Sequence, residues 1–156
     1  MHRRALIALL AALPLSARAQ TTAQPDLPKE KLVVVTKDGA RHEFTVEMAL
    51  SPEQQTVGLM FRTNVPADGG MLFDWGVPRD STMWMRNTVS PLDMLFINDD
   101  GTIRRLAEDT VPQSLAMIES RGPVRATLEL AAGTAKRLGI RVGDRVEQGI
   151  FNATKK

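Results

Sequence analysis

Short runs rich in Val, Ile, Leu, Met and Phe alternate with turn signals along most of the chain. The signals are Asp38-Gly39, Asp68-Gly69-Gly70, Ser90-Pro91, Asp100-Gly101, Gly122-Pro123 and Gly143-Asp144. Strands punctuated in this way predict a mainly β fold, an antiparallel β sandwich or small barrel with one or two short helices. The first strands, Lys31–Lys37 and Ala40–Glu47, flank Asp38-Gly39, a dipeptide that strongly favours a tight hairpin. A two-residue loop there sets Val35 opposite His42 and Val33 opposite Phe44, with His42, Phe44 and Val46 on one face. A helix follows, with Ser51 as its cap, Pro52 at its first position and Gln54 completing a capping box. Val57, Met60 and Phe61 fall at helical spacing and predict its buried stripe, and Gly58 inside it signals close packing.

Ser81 to Ile97 is the most informative stretch. With Thr88–Pro91 as a four-residue loop, Arg86 pairs with Asp93, Met85 with Met94 and Met83 with Phe96. One face then carries Met83, Met85, Met94 and Phe96, with Asn87 at its rim. The other carries Trp84, Leu95 and Ile97 around Arg86 and Asp93. Both faces are largely apolar, which predicts two central strands covered on both sides. Thr102–Ala107 and Val124–Ala131 continue the strands, and Thr134–Leu138 forms a helical turn closed by Gly139. Ile140–Ile150 predicts a last pair of strands around Gly143-Asp144.

Composition narrows the setting. The chain has 156 residues, enough for one compact domain. It has no cysteine, which excludes disulfides, thiolate nucleophiles and cysteine-based metal sites. Residues 1–19 have the layout of a secretory signal peptide: basic Arg3-Arg4, an apolar run from Ala5 to Leu15, and Ala17-Arg18-Ala19 before Gln20. The run is too short for a bilayer span, so no transmembrane span is expected after cleavage near Ala19. Cleavage removes Arg3, Arg4 and Arg18, which turns the formal net charge of +2 slightly negative. A nucleic-acid partner is therefore not expected. Residues 20–30 read as a flexible leader and 31–152 as a single β-rich domain of an exported protein, periplasmic or extracellular.

Candidate chemistry is sparse. Arg62, Arg86, Asn87, Asp93 and Glu129 lie within apolar sequence, where charged residues are seldom buried without partners. Two readings are open. The arginines grip a small anionic or polar ligand while Trp84 stacks on its apolar part, or the same residues form an internal ion-pair network that fixes strand register. Met83, Met85 and Met94 offer thioethers that would suit Cu(I), set against the common use of Met to fill core gaps. Asp93, Glu129, Asp144 or the Asp99-Asp100 turn are the carboxylates that a hydrolase would use, but turn chemistry accounts for Asp99, Asp100 and Asp144, and no nucleophile elbow, phosphate loop or zinc-protease motif is present. His42, the one histidine left after cleavage, cannot make a triad argument by itself. No catalytic residue, cofactor or resident metal is assigned. The leading expectation is a small-ligand-binding module. The alternatives are an accessory envelope protein acting through protein contacts and a periplasmic Cu(I) carrier.

The chain also resembles a known but uncharacterised family, domain of unknown function 192. The residues that carry the likeness are Gly58-Leu59-Met60-Phe61-Arg62, Gly70-Met71-Leu72-Phe73, Trp84-Met85-Arg86-Asn87-Thr88 and Pro91-Leu92-Asp93-Met94-Leu95-Phe96, followed by Leu128-Glu129-Leu130, Gly133 and Gly143-Asp144. Met83 stands where the family more often has an aromatic residue, and Arg86 where Lys is frequent. The resemblance implies a compact, mostly β domain, often behind an export signal, with no established activity. Thr134 to Val146 separately resembles an element of certain small barrels, some of which bind DNA; export and the charge balance argue against carrying that function over.

Overall fold

The computed structural model describes residues 21–152, so residues 1–19, where a signal peptide is expected, lie outside the described residues. Nine strands and three short helices follow in order: β1 (Lys29–Val35), β2 (Arg41–Ala49), α1 (Pro52–Val57), β3 (Gly69–Arg79), β4 (Thr82–Met83), β5 (Leu92–Ile97), β6 (Ile103–Ala107), β7 (Ile118–Glu119), β8 (Val124–Ala131), α2 (Thr134–Leu138), β9 (Arg145–Glu147) and α3 (Gly149–Asn152). Seven strands form one sheet in the order β6-β5-β8-β3-β2-β1-β9, while β4 and β7 make a separate ribbon. The sheet is curled into a half-barrel. Its outer strands approach each other, since Thr102 bridges Arg145 and the Val146 amide donates to the Gly101 carbonyl at 2.7 Å. Pairing is antiparallel throughout except between β2 and β3, which run parallel because α1 carries the chain back across the sheet.

Curling gives the sheet two unlike faces. Leu32, Phe44, Leu72, Leu95, Ile103, Leu128 and Val146, one from each strand, meet in an inner core. On the outer face Met71, Phe73, Met94, Phe96 and Val124 form a second core with Leu59 and Met85 from loops. The two cores follow from alternation along Met71–Phe73 of β3, along β5 and along Ala126–Leu130 of β8, stretches covered on both sides. Among the described residues no helix is long and apolar enough to cross a membrane.

Several expectations need correction. The first hairpin closes through Thr36–Ala40 rather than two residues, with Asp38 accepting hydrogen bonds from the Thr36 hydroxyl and the Ala40 amide. The register consequently slips by one: His42 faces Val34 and Phe44 faces Leu32, which sends Leu32 and Val34 inward. The helix ends at Val57, because Gly58 takes φ +50° at its C-cap, leaving Met60 and Phe61 beyond it. Ile140 forms no strand, and α3 closes the described chain. Residues 24–28 are docked rather than free: the Gln24 amide donates to the Gln54 and Gly58 carbonyls, and the Leu27 amide to Glu47 at 2.8 Å.

The largest correction concerns the Trp84 segment. Met83 belongs to β4, which pairs with Ile118 of β7, whereas β5 pairs with β6 and β8. Met85–Thr88 is a turn closed by the Thr88 amide and the Met85 carbonyl at 3.0 Å, with Asn87 in the left-handed region at φ +56°. Asn accepts that conformation far more readily than most residues, and it ends the strand that alternation alone predicts. The turn is held from outside by the loop after β6, where the Met85 amide donates to Ser114 and the Gln113 amide to Thr88.

Candidate functional site

The expected polar cluster does not assemble; its members separate by face. Asp93 points inward and is fully buried, yet among the described residues no cation pairs with it. Its Oδ1 accepts from the Asp109 amide at 2.9 Å and its Oδ2 from the Ala135 amide at 2.8 Å. Two backbone donors therefore satisfy it, one of them at the start of α2. The Arg86–Asp93 pair is absent: Arg86 is exposed, with its guanidinium 5.3 Å from the Trp84 ring.

Arg62 follows the ion-pair reading. Its two terminal nitrogens meet the Glu47 carboxylate at 3.2 and 3.1 Å, and Asp26 adds a contact at 3.0 Å. Glu47 is buried and also takes the Leu27 amide, so this fork fastens the N-terminal segment to β2. Asn87 serves the loop, its carbonyl accepting from the Phe61 amide at 2.8 Å.

Glu129 is different. It lies on β8 between Met71 of β3 and Met94 of β5, with its side chain on the outer face and 4% exposed. Among the described residues no hydrogen bond or ion pair reaches its carboxyl. Burial pushes its pKa up from 4.5 to about 8.

The carboxyl lines a cavity of about 410 Å3 that opens to solvent. Three local features build it. Gly58 ends α1 so close to Phe73 that an added Cβ would stand 2.9 Å from the ring, which brings Leu59 and Met60 over the sheet. A bulge after Asp74 turns Trp75 out of the ladder, where its indole N–H donates to Thr127 at 3.3 Å and its ring lies 5.8 Å from that of Phe73. The turn at Met85–Thr88 places Trp84, 44% exposed, along the opposite wall. Met60 and Met83 add thioethers, and Thr82 and Thr88 add hydroxyls. Arg79 sits at the rim, 4.4 Å from the Trp75 ring.

Of the six residues predicted for a ligand site, Trp84 and Glu129 line this cavity, while Arg62, Arg86, Asn87 and Asp93 do not. Sequence reasoning missed Trp75 and Arg79. The period-two alternation from Met71 through Phe73 to Trp75 was the available signal. The copper geometry is not formed either: the Met85 sulfur accepts from the Thr110 hydroxyl at 3.2 Å inside the core, and the hairpin that would face Met83 and Met85 with Met94 does not exist. No group of three or more His, Cys, Asp or Glu residues suited to a metal occurs among the described residues. Nor is there a carboxylate pair, because Glu129 is the one acid lining the cavity and Asp144 is occupied by the Lys37 and Arg141 amides. His42 stays isolated on the hairpin, with Nε2 buried and without a hydrogen-bond partner among the described residues.

Two solved structures are similar over their whole length. A protein from Sinorhizobium meliloti, described as a candidate transcription regulator, shares 51% identity with a TM-score of 0.78, covering 80% of this chain and 97% of its own. A protein of unknown function from Novosphingobium aromaticivorans shares 37% identity with a TM-score of 0.76, covering 88% of this chain and 99% of its own. No curated protein matches the chain. Residues 33–148 match the profile of DUF192, described as uncharacterized ACR. With the expected motifs found around one half-barrel and the match running from β1 to β9, the chain belongs to the domain of unknown function 192 family.

Proposed function

We propose that the protein is a small-ligand-binding module, exported by the address at residues 1–19, whose site is the cavity between Trp75 and Trp84. One observation carries this reading: the Glu129 carboxyl lines a cavity walled in part by aromatic and thioether side chains and has no partner among the described residues. An ionisable group held at such a cost in a packed core points to a use beyond packing. Aromatic and thioether surface beside convergent polar groups, here Arg79, Thr82, Thr88 and Glu129, is also a common composition of small-molecule sites. A buried acid with no cation beside it disfavours a phosphate ligand.

A thermal-shift screen of the purified protein with organic cations, organic acids and sugars tests the reading. A binder raises Tm in step with its concentration, and Trp84→Ala abolishes the shift. A rise of equal size in Trp84→Ala would place binding elsewhere, and silence across the screen would remove the proposal.

A second reading, contact with an envelope protein, draws on a different surface. Val111, Leu115 and Met117 in the loop between β6 and β7 are 67%, 66% and 76% exposed, an apolar group fit for a protein partner. Retention of an envelope protein that is lost with Leu115→Ser and Met117→Ser would favour it.

A further inference from the structure

We infer that the cavity takes an organic ammonium ion, seated on the Glu129 carboxylate and packed against the rings of Trp75 and Trp84. This rests on the cavity being a ligand site and names the class of ligand. The first argument is charge. Glu129 and Arg79 are the ionisable residues lining the cavity. Arg79 lies over Trp75 at the rim and forms no ion pair with Glu129, whose pKa is displaced by burial alone. The neighbours on either side of Glu129 across the sheet are Met71 and Met94, which carry no charge. A cation at this depth must come from outside the chain.

The second argument is the wall. Trp75 and Trp84 each already hold a guanidinium against the ring, at 4.4 and 5.3 Å. Arg86 does not line the cavity, which leaves Trp84 free to present ring surface to it. Indole faces attract cations, most strongly where water is excluded. Met60 and Met83 add polarisable sulfur beside them. An anion would meet a carboxyl below and π-electron density at the sides, so the same wall disfavours it.

The binding step balances as a proton exchange. At neutral pH the empty site holds a protonated carboxyl; when the ammonium ion enters, Glu129 loses its proton to the buffer and the site stays neutral overall. A neutral ligand would leave that proton in place.

Calorimetry separates the two. Choline and butylammonium are titrated into the purified chain at pH 7, in phosphate and in the zwitterionic buffer MOPS, against their uncharged counterparts 3,3-dimethylbutan-1-ol and butan-1-ol. The expected result is binding of at least one cation ten-fold or more tighter than its counterpart, with close to one proton released, and a ten-fold or greater loss in Glu129→Gln. Equal binding of the neutral counterparts, unaffected by Glu129→Gln and without proton release, would overturn the cation inference and leave the cavity standing as a ligand site. No binding of any of the four would also overturn it, and the site reading would then fall only with the wider screen. Glu129→Gln exchanges a buried acid for a neutral side chain of the same shape, so misfolding does not confound the result.

Discussion

Two of the half-barrel's buried carboxylates, on the paired strands β5 and β8, are treated in opposite ways. Asp93 on the inner face is closed by two backbone amides, one from the loop after β6 and one from α2. Glu129, on the neighbouring strand, receives no hydrogen bond among the described residues and faces a cavity. The inner acid behaves as a clamp: it joins three elements, and each of its oxygens accepts a backbone amide. The outer acid joins nothing, and its environment opposes its charge. Burial alone therefore does not mark a functional group. What distinguishes the two is whether the fold supplies the partners.

The sharpest test removes the charge on the outer acid. Because its folded pKa lies above 4.5, the folded state binds a proton that the unfolded chain gives up between 4.5 and about 8. Stability therefore falls as pH rises through that window and levels off above it. Each pH unit is worth ~1.4 kcal/mol. Glu129→Gln should thus be stabilised by about 4 kcal/mol at pH 8 and by under about 1 kcal/mol at pH 5, measured by urea unfolding at both. An equal gap at the two pH values would mean that the carboxyl is not held in a desolvated site.

The matching change on the inner face should have the opposite sign. Asp93→Ala leaves the amides of Asp109 and Ala135 buried without acceptors. Each such group costs about 1–3 kcal/mol, so a loss of roughly 3 kcal/mol is expected in the same denaturation experiment. Wild-type stability in this variant would erase the contrast between the two acids.

Local signals explain which parts were legible in the sequence. Val124–Ala131 and Thr134–Leu138 have the limits that alternation and Gly139 imply, and Ser51 with Gln54 makes the expected capping box. Each of these depends on residues a few positions apart. The Trp84 segment does not. Its alternation is that of a strand, but Asn87 adopts a positive φ, and β5 pairs instead with β6 and with the distant β8. For the same reason sequence could mark Asp93 and Glu129 as unusual acids without separating them. Only the register that sets Met94 against Glu129 puts the two on opposite faces. Arg62 was legible as a charge needing a partner, whereas Glu47, the partner, lies in a strand whose pattern gives no sign of it.

A smaller effect tests how the outer face is built. At Gly58 a Cβ would stand 2.9 Å from Phe73 Cζ, in a backbone with φ +50° that disfavours side chains. Gly58→Ala should cost about 2 kcal/mol by strain and overlap and should push Leu59 and Met60 off the cavity. Thermal unfolding measures the cost, and ligand affinity measures the displacement. A destabilised variant that binds unchanged would show that α1 does not shape the wall.

Trp84 should give the smallest change in stability and the clearest functional one. Its ring is nearly half exposed, its own backbone is held by a turn that does not need the side chain, and Arg86 covers one side of it from solvent. Truncation to Ala removes little buried area and ought to shift stability by under about 1 kcal/mol. Trp75, by contrast, packs on Phe73 and hydrogen-bonds Thr127, so Trp75→Ala should harm stability and binding together. If Trp84→Ala destabilises as much as Trp75→Ala, the Trp84 wall is part of the packed core. If it leaves stability intact and weakens binding, that wall is there for the ligand, as the unpartnered acid beneath it implies.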